Sequence, residues 1–175
     1  IINGVATQIT KSTPIDGEIK TGGVTQNGTN KLGKVSYQAH LRDIGWATWQ
    51  CDGAMVGTTG QNRRIEALRI DPIGETDVVV HVRNDGDKEY KNITKDTILG
   101  TINESKRIEA IKITGKETPY IYRVHQKSIG WSNWTVNGNW AGEKGKSLQV
   151  EAIEIMAAKF WVNPHVQNYG WLGDK

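Results

Sequence analysis

Four histidines, His40, His81, His125 and His165, stand 41, 44 and 40 residues apart. A glutamate recurs with the first three, in Ile65-Glu66-Ala67, Ile108-Glu109-Ala110 and Val150-Glu151-Ala152. Imidazole and carboxylate at a repeated separation admit metal ligation, acid–base catalysis or a structural hydrogen bond. The neighbours disfavour a metal. At the next same-face position of an extended strand, His40 is followed by Arg42, His81 by Arg83 and His125 by Lys127, and a cation beside each ligand opposes a bound cation. Catalysis needs one asymmetric constellation, whereas these residues recur in every copy, as scaffold residues do. The expectation is structural pairing of His40 with Glu66, His81 with Glu109 and His125 with Glu151. No catalytic residue, metal site or cofactor is assigned.

A second recurring set is aromatic. Gly45-Trp46-Ala47-Thr48-Trp49 returns as Gly130-Trp131-Ser132-Asn133-Trp134 and again, cut short, as Gly170-Trp171. In the middle copy Asp87 stands at the place of the first Trp and Tyr90 at that of the second. Residues three apart on a regular strand point to opposite faces. An unpaired Asp is costly to bury, so the first place is expected to face outward. That puts Trp49, Tyr90 and Trp134 in the core and makes Trp46, Trp131 and Trp171 platforms for a ligand. An outward indole offers a flat apolar face to the C–H side of a sugar ring. Gln50, Asp52, Asn137 and Asn139, at the Asp52-Gly53 and Asn137-Gly138 hairpin turns, are the polar groups expected beside them.

Positioning these residues takes a repeated element. A period near 40 residues means a unit that buries its apolar face against copies of itself. The copies cover residues 35–77, 78–119 and 120–160, with a partial fourth at 161–175. Each holds about four short apolar stretches split by Gly or Asn turns; in the first copy these are 35–41, 46–50, 54–57 and 65–70. Val35, Tyr37, Ala39 and Leu41 alternate with Ser36, Gln38, His40 and Arg42, the period of a strand with one buried face. The expected fold is all-β with pseudo-threefold symmetry, β-prism-like, with a β-trefoil as the alternative. Residues 1–34 lack the repeat and are read as a linker or as N-terminal strands docked on the domain. Residues 161–175 hold too little of a unit to stand alone, so Trp161–Trp171 is expected to pair with an existing strand edge.

The Tyr-x-x-His strand, the Gly-Trp-x-x-Trp pair, the Asp/Asn-Gly turn, the Gly-Thr-x-Gly turn and the Ile-Glu-Ala-Ile-x-Ile strand resemble the clostridial hydrophobic repeats with a conserved Trp, the ChW repeats. The resemblance spans about 35–171, and the middle copy departs from it at Asp87 and Tyr90. It implies an extracellular bacterial protein, either a surface protein or the wall-binding end of a phage lytic enzyme (an endolysin). It also implies a non-catalytic, lectin-like module that binds cell-wall or other extracellular glycan. A protein-binding adhesion module and a structural spacer are the rival functions.

Composition narrows the field. With 22 basic and 19 acidic residues the net charge is +3, and no basic stripe suits a phosphate backbone, so nucleic acid is not an expected partner. A single cysteine, Cys51, rules out an internal disulfide and a cysteine metal cluster. No apolar run has the length of a membrane-spanning helix, and no membrane insertion is expected. Seven tryptophans against one phenylalanine favour half-buried positions and binding faces over core filling. The start at Ile1, without Met or a leader, is read as a fragment of a larger secreted protein, with any catalytic domain elsewhere.

Overall fold

The computed structural model describes residues 34–158 and the backbone of 165–166 and 170–171. Residues 1–33 lie outside them. The described residues hold strands and turns and no helix, as the alternating pattern requires.

The first unit contains β1 (Ser36–Leu41), β2 (Gly45–Trp46), β3 (Gln50–Cys51), β4 (Val56–Gly57) and β5 (Ile65–Asp71). The second contains β6 (Thr76–Val82), β7 (Gly86–Tyr90), β8 (Leu99–Gly100) and β9 (Ile108–Gly115). The third contains β10 (Tyr120–Gln126), β11 (Gly130–Trp131), β12 (Thr135–Val136), β13 (Trp140–Ala141) and β14 (Val150–Ala157). A last pair, β15 (His165–Val166) and β16 (Gly170–Trp171), sets His165 opposite Trp171. That is the register of His40 with Trp46 and of His125 with Trp131. The expected docking of 161–171 on an existing edge falls outside the described residues.

Each unit is built on one long antiparallel ladder, β1–β5, β6–β9 or β10–β14. The histidines face the strand that carries the glutamates: His40 lies opposite Ala67, His81 opposite Ala110 and His125 opposite Ala152. All three ladders slip immediately after the histidine. A bulge at that point turns the chain away and re-aims its side chains.

The sheets are completed by exchange. β8 of the second unit pairs with β5 of the first, and β13 of the third pairs with β9 of the second. β4 of the first pairs with β14 of the third, which returns the exchange to its start. Each donated strand ends on or is followed by a glycine at left-handed φ, Gly57 (112°), Gly100 (114°) and Gly142 (95°). A Cβ there would stand 2.2, 2.4 or 2.6 Å from the carbonyl oxygen of Glu151, Glu66 or Glu109, so only glycine lets the two backbones meet.

The inward side chains of the three ladders merge into one core that includes Tyr37, Leu68, Ile70, Val80, Ile111, Tyr122 and Ile153, all fully buried. Two buried tyrosines bolt units together. The Tyr37 hydroxyl donates to Ala54 C=O (2.5 Å) and accepts from Ile155 N–H of the third unit (3.1 Å). The Tyr122 hydroxyl donates to Asn139 C=O and accepts from Ile113 N–H of the second unit (2.9 Å). Burial pushes both phenols up to about 12, against smaller downward pulls from those backbone hydrogen bonds.

Candidate functional site

The recurring polar pairs sit where the units meet. His40 Nδ1 lies 3.4 Å from Glu66 Oε2 and His125 Nδ1 lies 3.5 Å from Glu151 Oε2. Both are within ion-pair range, yet neither nitrogen has a hydrogen-bond partner. His81 differs: its Nδ1 takes Asp87 Oδ1 at 2.6 Å, with Glu109 Oε2 4.0 Å from Nε2. Asp87 in turn binds the Lys144 ammonium (3.0 Å). Partial burial pushes the Asp87 carboxyl upward, but the hydrogen bonds from His81 and Lys144 outweigh it and leave its pKa lowered.

The glutamates are buried and gripped from two residues upstream on their own strand. Arg64 Nη2 donates to Glu66 Oε1 (2.7 Å), Arg107 Nε to Glu109 Oε1 (2.9 Å) and Gln149 Nε2 to Glu151 Oε1 (2.9 Å). The signal for these partners was present in Arg64-Ile65-Glu66, Arg107-Ile108-Glu109 and Gln149-Val150-Glu151.

The aromatic faces correct the sequence expectation. Trp49 and Trp134, expected in the core, are 40% and 41% exposed. Trp46 and Trp131, expected outward, are half-buried. Each meets its histidine edge to face, with ring centroids 5.4 Å apart for His40–Trp46 and 5.5 Å for His125–Trp131. Each also carries an arginine on its ring at 4.6 Å, Arg69 and Arg123 respectively. The cause is a break in the strand. After Trp46 the chain leaves the ladder and rejoins it with Gln50 opposite Tyr37, one residue out of step with the His40–Trp46 pair. The extra residue loops out and takes Trp49 with it. The third unit repeats this, with Thr135 opposite Tyr122.

In the second unit β7 runs unbroken, and Tyr90 falls opposite Val78. Tyr90 is thus the register equivalent of Gln50 and Thr135, not of the second tryptophan. It is half-buried against the core, as expected, with its hydroxyl accepting from Gly100 N–H (3.1 Å). Counting residues from Asp87 misidentified its partners.

In the third unit a cleft of about 330 Å³ lies between Trp134 and Trp140, with Ile129, Asn133 and Glu143 on its walls. The Arg123 guanidinium is held by Glu154 (2.7 Å) and stacks on both Trp131 and Trp134, 4.6 and 4.5 Å from the ring centroids. Lys144 and Lys112 lie 4.1 and 5.4 Å from the Trp140 ring. Cations on the ring faces fix the indoles and limit what they lose in freedom on binding.

The first unit presents the same places with Trp49, Ile44 (51% exposed) and Met55 (43%). Ile44 and Ile129 occupy one position at the hairpin tip, each donating its N–H to the carbonyl three residues back, Leu41 or Gln126. Asp85 takes that position in the second unit and is bound to Lys88 and Lys106. The sequence reading passed over Ile44, Met55, Ile129, Trp140 and the clamping Arg69 and Arg123. Their signal is weak: the clamping arginine stands on β5 in the first unit, Arg69 opposite Gln38, but on β10 in the third, Arg123 opposite Glu154, which only the cross-strand register reveals.

The turn residues also move away from the ligand role. Asp52 Oδ1 accepts from Val35 N–H (3.2 Å), and Asn137 Oδ1 accepts from Gly115 N–H (2.7 Å) and Tyr120 N–H (3.3 Å). Both close the base of the hairpin, five residues along β1 or β10 from the Trp46 or Trp131 pair, roughly 16 Å away. Asn139 donates to Val136 C=O (3.2 Å), and Gln50 lies half-buried in β3. The Trp171 side chain lies outside the described residues. Among the described residues no group of His, Cys, Asp and Glu has the makings of a metal site.

Comparison with known proteins reaches the same segments. Residues 40–71 and 125–157 match the family described as Clostridial hydrophobic W. No curated protein and no solved structure is similar enough to match. The two matched segments run from the histidine to the end of the glutamate strand and contain both Trp pairs. The match does not extend to 78–119, where Asp87, Tyr90 and the unbroken β7 replace the looped-out indole, although the β6–β9 ladder keeps the register and the bulge. Nor does it extend to residues 161–175.

Proposed function

We propose that this chain is a non-catalytic carbohydrate-binding module that holds a larger secreted protein, of surface or wall-lytic type, on the bacterial cell wall or on another extracellular polysaccharide. The observation that carries this reading is the pair of exposed indoles, Trp49 and Trp134, at one structural position in the two ChW segments. An indole presented edge-free above a half-polar cleft suits the C–H face of a sugar, with Asn133 and Glu143 placed for its hydroxyls. Two such exposed indoles on one body add avidity to weak single sites. The burial of the glutamates and their ties to Arg64, Arg107 and Gln149 support a scaffold role for them.

The arrangement that presents the clefts is read as pseudo-threefold and prism-like. The cyclic exchange of β8, β13 and β4 supports it, since each unit gives one short strand and receives one.

A protein partner is the second reading, favoured by the exposed aliphatic Ile44, Met55, Ile129 and Val136 beside the indoles. Co-sedimentation of the purified chain with protein-stripped cell-wall sacculi and with insoluble polysaccharides tests the first reading. Saturable binding that soluble wall oligosaccharides compete supports it. Retention only on walls that keep their surface proteins transfers the function to a protein partner.

A further inference from the structure

The cleft beside Trp134 is not the only concave feature. A cleft of about 790 Å³ opens where the first unit meets the second. His40 and Glu66 are its deep members, Arg42 and Asp43 stand at its rim, and Asn103 and Ser105, just past β8, form the opposite wall. A cleft of about 300 Å³ stands where the third unit meets the first, lined by His125, Glu151, Lys127, Ser128, Gly60 and Asn62. These are the same positions. Gly100 and Gly57 are equivalent, so Asn103 matches Gly60 and Ser105 matches Asn62. All four hold left-handed backbone, with φ of 63°, 70°, 54° and 54°.

At the remaining junction, between the second and third units, the chain satisfies these groups itself. Gly145 N–H donates to Glu109 Oε2 (2.9 Å), and Asp87 bridges His81 and Lys144. At the two open junctions nothing takes the place of Gly145: Glu66 and Glu151 accept hydrogen bonds on Oε1, and Oε2 faces only the buried histidine Nδ1, at 3.4 and 3.5 Å. A carboxylate oxygen without a donor gains when a ligand hydroxyl supplies one.

The charges in the open junctions cancel. Arg42 pairs with Asp43, Arg64 with Glu66, and Lys127 shares its cleft with Glu151. No Trp, Tyr or Phe lines either cleft. Recognition there has to come from donors and acceptors in alternation, which suits neutral hydroxyls rather than an ion or an apolar group. Ile44 lines this cleft, and Ile129, at the same position in the third unit, lines the cleft of Trp134, so the hairpin tip stands between the two kinds of cleft.

We infer that the open junctions are hydroxyl-binding subsites, and that the ligand is the interior of a neutral glycan several residues long, lying across the hairpin tip from the indole into the junction. This rests on the carbohydrate reading above and adds the length and neutrality of the ligand. The test is a ¹⁵N-detected titration of the full chain with the dimer and the tetramer of N-acetylglucosamine. The tetramer is expected to bind at least fivefold more tightly than the dimer and to shift the amides of Arg42, Asn103 and Ser105 together with the Trp49 indole. A double variant, R42A with D43A, with an unchanged melting temperature, is expected to weaken the tetramer five- to tenfold. If the indoles respond but Asn103 and Ser105 stay still, or the tetramer gains nothing over the dimer, the junction subsite is wrong and the aromatic sites stand. If the junction amides respond and the indoles do not, the junction is supported and the aromatic reading falls. Silence of both sets contradicts both.

Discussion

A single looped-out residue decides which indole faces water. Trp49 and Trp134 leave the ladder because the strand carries one residue too many, and Trp46 and Trp131 are held by a histidine edge and an arginine face. The recurrence of His40, His125, Glu66 and Glu151 and their approach to each other were legible, because a repeated polar residue on a repeated strand must be satisfied in the same way each time. The facing of the tryptophans was not, since Asp87 and Tyr90 come from the one unit whose β7 has no break. At this scale two stability predictions follow from buried polar groups. Glu66→Ala leaves Arg64 and His40 without their carboxylate and is expected to cost about 1–3 kcal/mol in urea unfolding; an unchanged midpoint contradicts the pairing. Tyr37 and Tyr122 ionise at about 12 in the folded chain against 10.0 for an ordinary phenol. A folded-state pKa raised in this way gives stability that is complete below pH 10 and is lost as pH climbs towards 12. Melting temperature is expected to hold to pH 10 and then fall, and Tyr122→Phe is expected to flatten part of that fall at the cost of a lower starting value.

The elements that matter most are the shortest. β4, β8 and β13 have two residues each, and each approaches a neighbouring glutamate strand through a glycine. Nothing in the sequence says which strand these glycines approach, because that strand lies in another unit. Two glycines of one turn separate the causes. Gly57→Ala meets the Glu151 carbonyl oxygen as well as a left-handed φ, and is expected to cost roughly 2–5 kcal/mol. Gly60→Ala has open space around its Cβ and only the φ of 70° to bear, which sets about 1–2 kcal/mol. Equal losses in denaturant melts would show that strand exchange places no demand at Gly57. The four-strand expectation for each unit fared well in type and less well in extent: the stretch read as 46–50 splits into β2 and β3, and that split creates the site.

For the whole molecule, exchange makes the units interdependent. β4 on β14 and the Tyr37–Ile155 hydrogen bond join the first unit to the third, so no unit has a complete sheet of its own. Thermal unfolding is expected as one transition, coincident by tryptophan fluorescence and far-ultraviolet circular dichroism; separated transitions would mean independent units. The all-β class and the 40-residue period could be read directly, whereas the cyclic exchange could not, since pairing between units leaves no local pattern in sequence. The function turns on the indoles that this architecture holds out to solvent, and one comparison tests it most directly: sacculus-binding isotherms and melting temperatures for Trp49→Ala, Trp134→Ala, Trp46→Ala and Trp131→Ala side by side. Trp49→Ala and Trp134→Ala are expected each to weaken binding about tenfold, near 1.4 kcal/mol, with little change in melting, while Trp46→Ala and Trp131→Ala lower the melting temperature and affect binding only through it. Loss of binding on removing Trp46 or Trp131, with Trp49 and Trp134 dispensable, would contradict the account.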